Sequence, residues 1–164
     1  MSARGVFYVH SAPPALCPHV EWAVAGVLGV PVSLPWSAQP AAPGSMRAEL
    51  SWEGRPGTAA GVASALRSWK LLRFEVTEDA APGSDGVRYS STPSLGVFMA
   101  VIGANGDILV SEDRLRAAMA DAAAGKTSLE TELDRLLGRP WDDELEPFRR
   151  AGDGAPVRWL HAAV

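Results

Sequence analysis

A single cysteine, Cys17, rules out an internal disulfide framework and any zinc site built from several thiolates of this one chain. No cluster of Lys and Arg appears anywhere, and the chain is acidic, with a net charge of -4 and a pI near 5.3. Phosphate neutralisation supplies most nucleic-acid affinity, so that composition argues against nucleic acid as a partner. No long hydrophobic run is present either. The longest apolar stretch, Trp22 to Val32, is broken by Gly26, Gly29 and Pro31, well short of the ~20 residues needed to cross a bilayer. The first residues carry one charge, Arg4, then a short apolar run before His10 and a proline pair, and read as neither signal peptide nor anchor. A soluble cytoplasmic protein without a membrane contact is expected. Internal repeats and low-complexity tracts are also missing.

What is present is an ordinary globular balance, 47% hydrophobic and 21% charged over 164 residues, enough for one domain with a real core. The acidity belongs to the second half: residues 1–78 hold six basic and five acidic groups, residues 79–164 nine and fourteen.

The order of the first 78 residues carries most of the architecture. Gly5 to His10 reads as a strand ended by Ser11 and Pro13-Pro14. Pro18 then opens a helix with Cys17 at its N-cap and a stripe of Val20, Val24, Val27 and Leu28, stopping at Gly29. Val30 to Trp36 alternates as a second strand. Met46, Ala48, Leu50 and Trp52 alternate with Arg47, Glu49, Ser51 and Glu53 in a third. A second helix, Ala59 to Lys70, places Val62, Leu66 and Trp69 on one side, and Leu72, Phe74 and Val76 alternate with Arg73, Glu75 and Thr77 in a fourth strand. This β-α-β-β-α-β order predicts a ferredoxin-like α+β core with an antiparallel sheet, its first and third strands central and both helices on one face.

Asp79 to Gly86 reads as a surface linker. Beyond it, Leu95 to Ile102 and Ile108 to Val110 flank the hairpin signal Asn105-Gly106. Ser111 starts a helix running to Gly125, and Thr127-Ser128-Leu129-Glu130 starts another with Leu129, Leu133, Leu136 and Leu137 as its stripe. Pro140 to Arg150 is a short acidic segment, with Trp141, Leu145 and Phe148 on one side, interrupted by Pro147. Val157 to Leu160 offers a last short strand or apolar tail. The second unit, 79–164, is expected to pack on or extend the 1–78 core.

Two constellations can carry chemistry. His10, Cys17 and His19 lie around the first strand-to-helix turn, where a helix N-terminus and an imidazole would lower a thiol pKa. Their spacing matches no common metal pattern, so no metal and no cofactor are expected. Against the nucleophile reading stands a plain buried core cysteine. The second constellation is the sheet face away from the helices. There Tyr8 and His10 stand beside Arg47 and Glu49 on one flank and Arg73 and Glu75 on the other, a mixed-charge platform with a group titrating near neutrality. A polar face covered by the C-terminal half explains the same residues. No RNP-like motif appears, and the acidic groups of the third strand would repel phosphate. Tyr89 to Ser94 offers hydroxyls without a nucleophile signature and fits an edge strand ending at Pro93. Trp141 and Trp159 lie in short segments that bury little by themselves, and read equally as core residues or as interface anchors.

The stretches GVFYVHSAPPALCPHVEWAV, QPAAPGSMRAELSWEGRPGTAA, LRFEVTED, RYSSTPSLG and GDILVSEDRLRAAM resemble a family of uncharacterised actinobacterial proteins, over roughly residues 1–125. The resemblance carries over no catalytic residue. It implies genes neighbouring those of type II fatty-acid synthesis, and with them a link to that metabolism. The leading expectation is therefore a non-catalytic binding or regulatory protein, recognising a protein partner or a small acyl or amino-acid metabolite through the sheet face and Trp141. The alternatives are a small enzyme using Cys17 with His10 or His19, and an accessory subunit of a larger enzyme. A homodimer is compatible with the same reading.

Overall fold

The computed structural model describes residues 1–151. Strand β1 (Ala3–Ala12) is buried along most of its length on both faces. A 3-10 turn at Pro14–Leu16 leads into α1 (Cys17–Leu28), whose missing N-terminal donor at Pro18 costs nothing and whose end is set by Gly29 at φ 73°. The expected strand over Val30 to Trp36 does not form. Pro31 and Pro35 remove two ladder donors, and the Leu34 amide and the Trp36 indole N–H both donate to the Glu21 carboxylate instead, at 2.7 and 3.0 Å. Only β2 (Ser37–Ala38) pairs with β3 (Met46–Gly54).

Helix α2 (Thr58–Leu66) stops short of Lys70, and its free amides at Gly57 and Ala59 donate to the Glu78 carboxylate at 2.9 and 3.1 Å. That carboxylate stands at the end of β4 (Arg73–Glu78), so the helix start is fixed to the neighbouring strand by the charge a helix N-terminus favours. The expected linker after β4 is a hairpin loop. Ala81 and Ser84 bridge, Gly83 turns the chain at φ 83°, and β5 (Gly86–Thr92) returns alongside β4. Strand β5 is interior, not an edge, because β6 (Gly96–Ile102) pairs along its other side. The Asn105-Gly106 turn joins β6 to β7 (Ile108–Leu109).

The result is an α+β fold with one seven-stranded, fully antiparallel sheet in the order β2-β3-β1-β4-β5-β6-β7. Within the first half the order β2-β3-β1-β4 puts the two expected strands inside. The β4–β5 hairpin carries the same sheet across the boundary between the two expected units.

Helices α1 and α2 cover one face, where Val20, Val24, Val62 and Leu66 bury Phe7, Val9, Phe74 and Val76. Three helices follow the sheet: α3 (Glu112–Ala123), α4 (Leu129–Leu136) and α5 (Arg139–Arg150). The Ser128 hydroxyl caps α4 by accepting from the Thr131 amide at 3.1 Å. Helix α5 runs through Pro147 without a break and lays Trp141 and Leu145 on Phe98, Ala100 and Ile102, which point to the face opposite α1 and α2. Helices therefore lie on both sides of the sheet, and the platform expected to be open is covered over β1, β4, β5 and β6. No helix among the described residues is long and apolar enough to cross a membrane. Trp159 and the segment Val157 to Leu160 lie outside the described residues.

Candidate functional site

Pleating dictates what α5 meets. Phe74 and Val76 face the α1 side, so Arg73, Glu75 and Thr77 face α5, and antiparallel pairing places Tyr8 opposite Glu75 and Glu75 opposite Ser90. Glu75 is fully buried at the centre of this row. A buried carboxylate is tolerable only when paired and hydrogen-bonded. Here the His10 Nε2–H donates to Oε2 at 2.5 Å and the Ser90 hydroxyl to Oε1 at 2.9 Å. Arg149 from α5 grips both oxygens, Nε to Oε2 at 3.1 Å and Nη2 to Oε1 at 2.7 Å, and its Nη2 also reaches Asp142 Oδ1 at 2.8 Å. Arg88 of β5 stands 3.8 Å from the same Asp142 oxygen.

The charges tune one another. Burial pushes the Glu75 carboxyl up, but the hydrogen bond and charge of His10, with those of Arg149, outweigh it and hold the carboxyl below its ordinary value. Burial pulls the Arg149 guanidinium down, and Glu75 and Asp142 more than restore it. The Tyr8 phenol, stacked on the His10 ring at 5.8 Å, is driven up by burial and by Glu49 and Glu75. It remains a neutral hydroxyl.

Of the residues expected on the platform, Tyr8, His10, Arg73, Glu75 and Trp141 come together under or against α5. The Arg73 guanidinium lies 4.4 Å from the centre of the Phe148 ring. Trp141 is buried, stacked on Phe98 at 4.8 Å, and its indole N–H donates to the Gly96 carbonyl at 3.0 Å. It anchors α5 and is not on the surface where a partner would reach it. Arg47 and Glu49 lie on β3 beyond the helix, half-buried and exposed respectively. Chemically the covered group is a latch: an acid, an imidazole and two guanidiniums closed over one another, with the Ser90 hydroxyl donating to the carboxylate rather than facing an imidazole.

The cysteine constellation is not assembled. Cys17 sits in the core on the α1 side, its thiol pointing to the Pro13 carbonyl at 3.6 Å, while the His10 ring is on the other face of the sheet. His19 is exposed and lies edge-on to Trp69. Burial, with Glu21 nearby, pushes the Cys17 thiol up, the reverse of nucleophile activation. The expected result is slow alkylation of the native chain compared with the unfolded chain, and a thiolate absorbance midpoint above that of the unfolded chain. A midpoint below that of the unfolded chain would restore Cys17 as a nucleophile.

The sequence reading reaches Ser90 only as one hydroxyl of the Tyr89 to Ser94 run and does not single out Arg149, Asp142, Arg88 or Gln39. Gln39 is buried and its amide donates to the His10 and Phe148 carbonyls at 2.7 and 3.2 Å, tying α5 to β1. A signal for Arg149 did exist: it continues the Trp141, Leu145 spacing of the inward face, so a helix drawn through Pro147 carries a cation into the core. Gln39 gives no such signal in a proline-rich loop.

Residues 6–162 match the family described as protein of unknown function (DUF3145). No curated protein and no solved structure matches the chain.

Proposed function

We propose a non-catalytic binding role for this chain, which belongs to the DUF3145 family over residues 6–162. One observation carries the reading. His10 and Glu75 are closed beneath α5 and the Cys17 thiol is buried on the α1 side, whereas large apolar side chains stand outside, among them Leu115 and Met119 on α3 and Leu129, Leu133 and Leu137 on and just past α4. Single exposed apolar residues are ordinary, but a row of them on adjoining helices is what protein interfaces use. A protein partner fits that shallow surface better than a small acyl or amino-acid metabolite, which needs a concave site. A link to fatty-acid synthesis in an actinobacterial cell rests on the resemblance of residues 1–125 and gives the first class of partner to try, and regulation of that partner is part of the proposed role.

The test is purification of the tagged full chain from its native cells. A second protein held at fixed stoichiometry through gel filtration supports the reading. A chain that elutes alone at every salt concentration sinks it.

A further inference from the structure

We infer that α4 and the outer side of α5 form a docking surface for a basic amphipathic helix of a partner protein, an assignment that rests on the binding role just proposed. Leu129, Leu133 and Leu137 recur every four residues along one side of α4 and stay 43%, 36% and 46% exposed. A four-residue ridge of leucines is the surface into which a second helix packs its own ridge. Among the described residues that side of α4 is incompletely covered, although α3 packs alongside it with Leu115 and Met119 also exposed.

Charge selects among occupants. From Ser128 to Glu146 the sequence holds seven carboxylates and two guanidiniums. Asp142 and Glu146 are engaged by Arg149 and Arg150, which leaves Glu130, Glu132, Asp134, Asp143 and Glu144 around Arg135 and Arg139. Arg139 is already drawn between Asp134 and Asp143, at 3.5 and 4.0 Å. A second copy docked here would bring the same excess of carboxylates against this one. Like-charge juxtaposition suppresses wrong partners, so self-association through α4 is disfavoured and a helix carrying Lys or Arg beside its apolar stripe is favoured.

The experiment uses the complex isolated with the tagged full chain, treated with a zero-length carbodiimide that joins carboxylates to lysine amines. The expected cross-links run from Glu130, Glu132, Asp134 or Asp143 to lysines of a partner segment with apolar residues at helical spacing. Leu133→Asp should lower partner recovery at least about tenfold, the change expected for a residue at the centre of an interface, with its circular dichroism unchanged. The triple variant Glu130→Lys, Glu132→Lys, Asp134→Lys leaves the leucines in place and should lose the partner as well, so the result does not depend on one variant folding. Cross-links from other faces, recovery unaffected by either variant, or α4 cross-linked to a second copy would each overturn the inference while leaving the binding role standing. Failure to retain any partner at fixed stoichiometry removes both.

Discussion

Arg149→Met is expected to destabilise the chain by about 3–5 kcal/mol, the cost of leaving a buried charge without its partner. The reasoning starts from Glu75, which is fully buried and receives two of its hydrogen bonds from this one guanidinium. Removing the side chain leaves His10 and Ser90 to hold a carboxylate that burial opposes, and removes the link from Glu75 to Asp142 on α5. The double variant Glu75→Leu, Arg149→Met should recover much of the loss, because replacing both members by apolar groups is often near neutral. Denaturant titration of the parent, Arg149→Met and the double variant measures it. A single variant within about 1 kcal/mol of the parent would mean that α5 is held by Trp141 and Leu145 alone, since ordinary surface pairs contribute no more than that.

The same latch sets a pH dependence. The folded Glu75 carboxyl lies below its ordinary value, so the native chain binds fewer protons there than the unfolded one. Its contribution is full above the unfolded carboxyl pKa, ~4.3, and is lost as pH falls through the folded value. The stability gap between parent and Arg149→Met should accordingly narrow on acidification. A gap that widened would contradict the assignment of Glu75 as the ionised partner.

How far the fold could be read in advance depended on whether local pattern and tertiary context agreed. Strands β3 and β4 alternate cleanly because each has one face against α1 and α2, β1 is marked by its aromatic and β-branched residues and the prolines that end it, and the Asn105-Gly106 turn declares its hairpin by conformational demand. Val30 to Trp36 also alternates, yet two prolines and the Glu21 carboxylate remove the amides a ladder needs. The loop at Asp79 to Gly86 has the composition of a linker, and the hydrogen bonds that make it a hairpin run through the backbone, where side-chain identity says little. For the candidate site, Tyr8, His10 and Glu75 were legible as neighbours from strand order alone. Their cover was not, because it rests on one helix 64 residues or more downstream of Glu75, read as broken at Pro147. A proline costs most where its amide would otherwise bond and its ring clash with the preceding turn, and an inward face of Trp141, Leu145 and Arg149 outweighs that cost.

Gly5→Ala is the second large effect, and its cause is a contact no pattern shows. Strand β1 approaches β4 so closely there that an added Cβ would lie 1.8 Å from the Thr77 carbonyl oxygen, 2.7 Å from its carbon and 2.9 Å from the Trp52 ring. Two of these atoms are backbone and cannot rotate away. The approach lies just past the β1–β4 ladder, which ends at Phe7 and Val76, and is held by two further bonds: Thr77 Oγ1 accepts from the Val6 amide at 3.0 Å and the Asp79 amide donates to the Arg4 carbonyl at 2.8 Å, so the strands are pinned on either side of Gly5. Relief would require β1 and β4 to part at this end of the pair and break the bonds on both sides of Gly5. A loss of more than about 3 kcal/mol is expected, beyond the usual range for overpacking because backbone must move. Gly26→Ala is the control. It lies inside α1 with open space where its Cβ would go, and alanine should gain roughly 0.5–1 kcal/mol there by helix propensity. Thermal and denaturant unfolding of the two variants beside the parent measures both signs, and a Gly5→Ala protein as stable as the parent would show that the strands are not held at this separation.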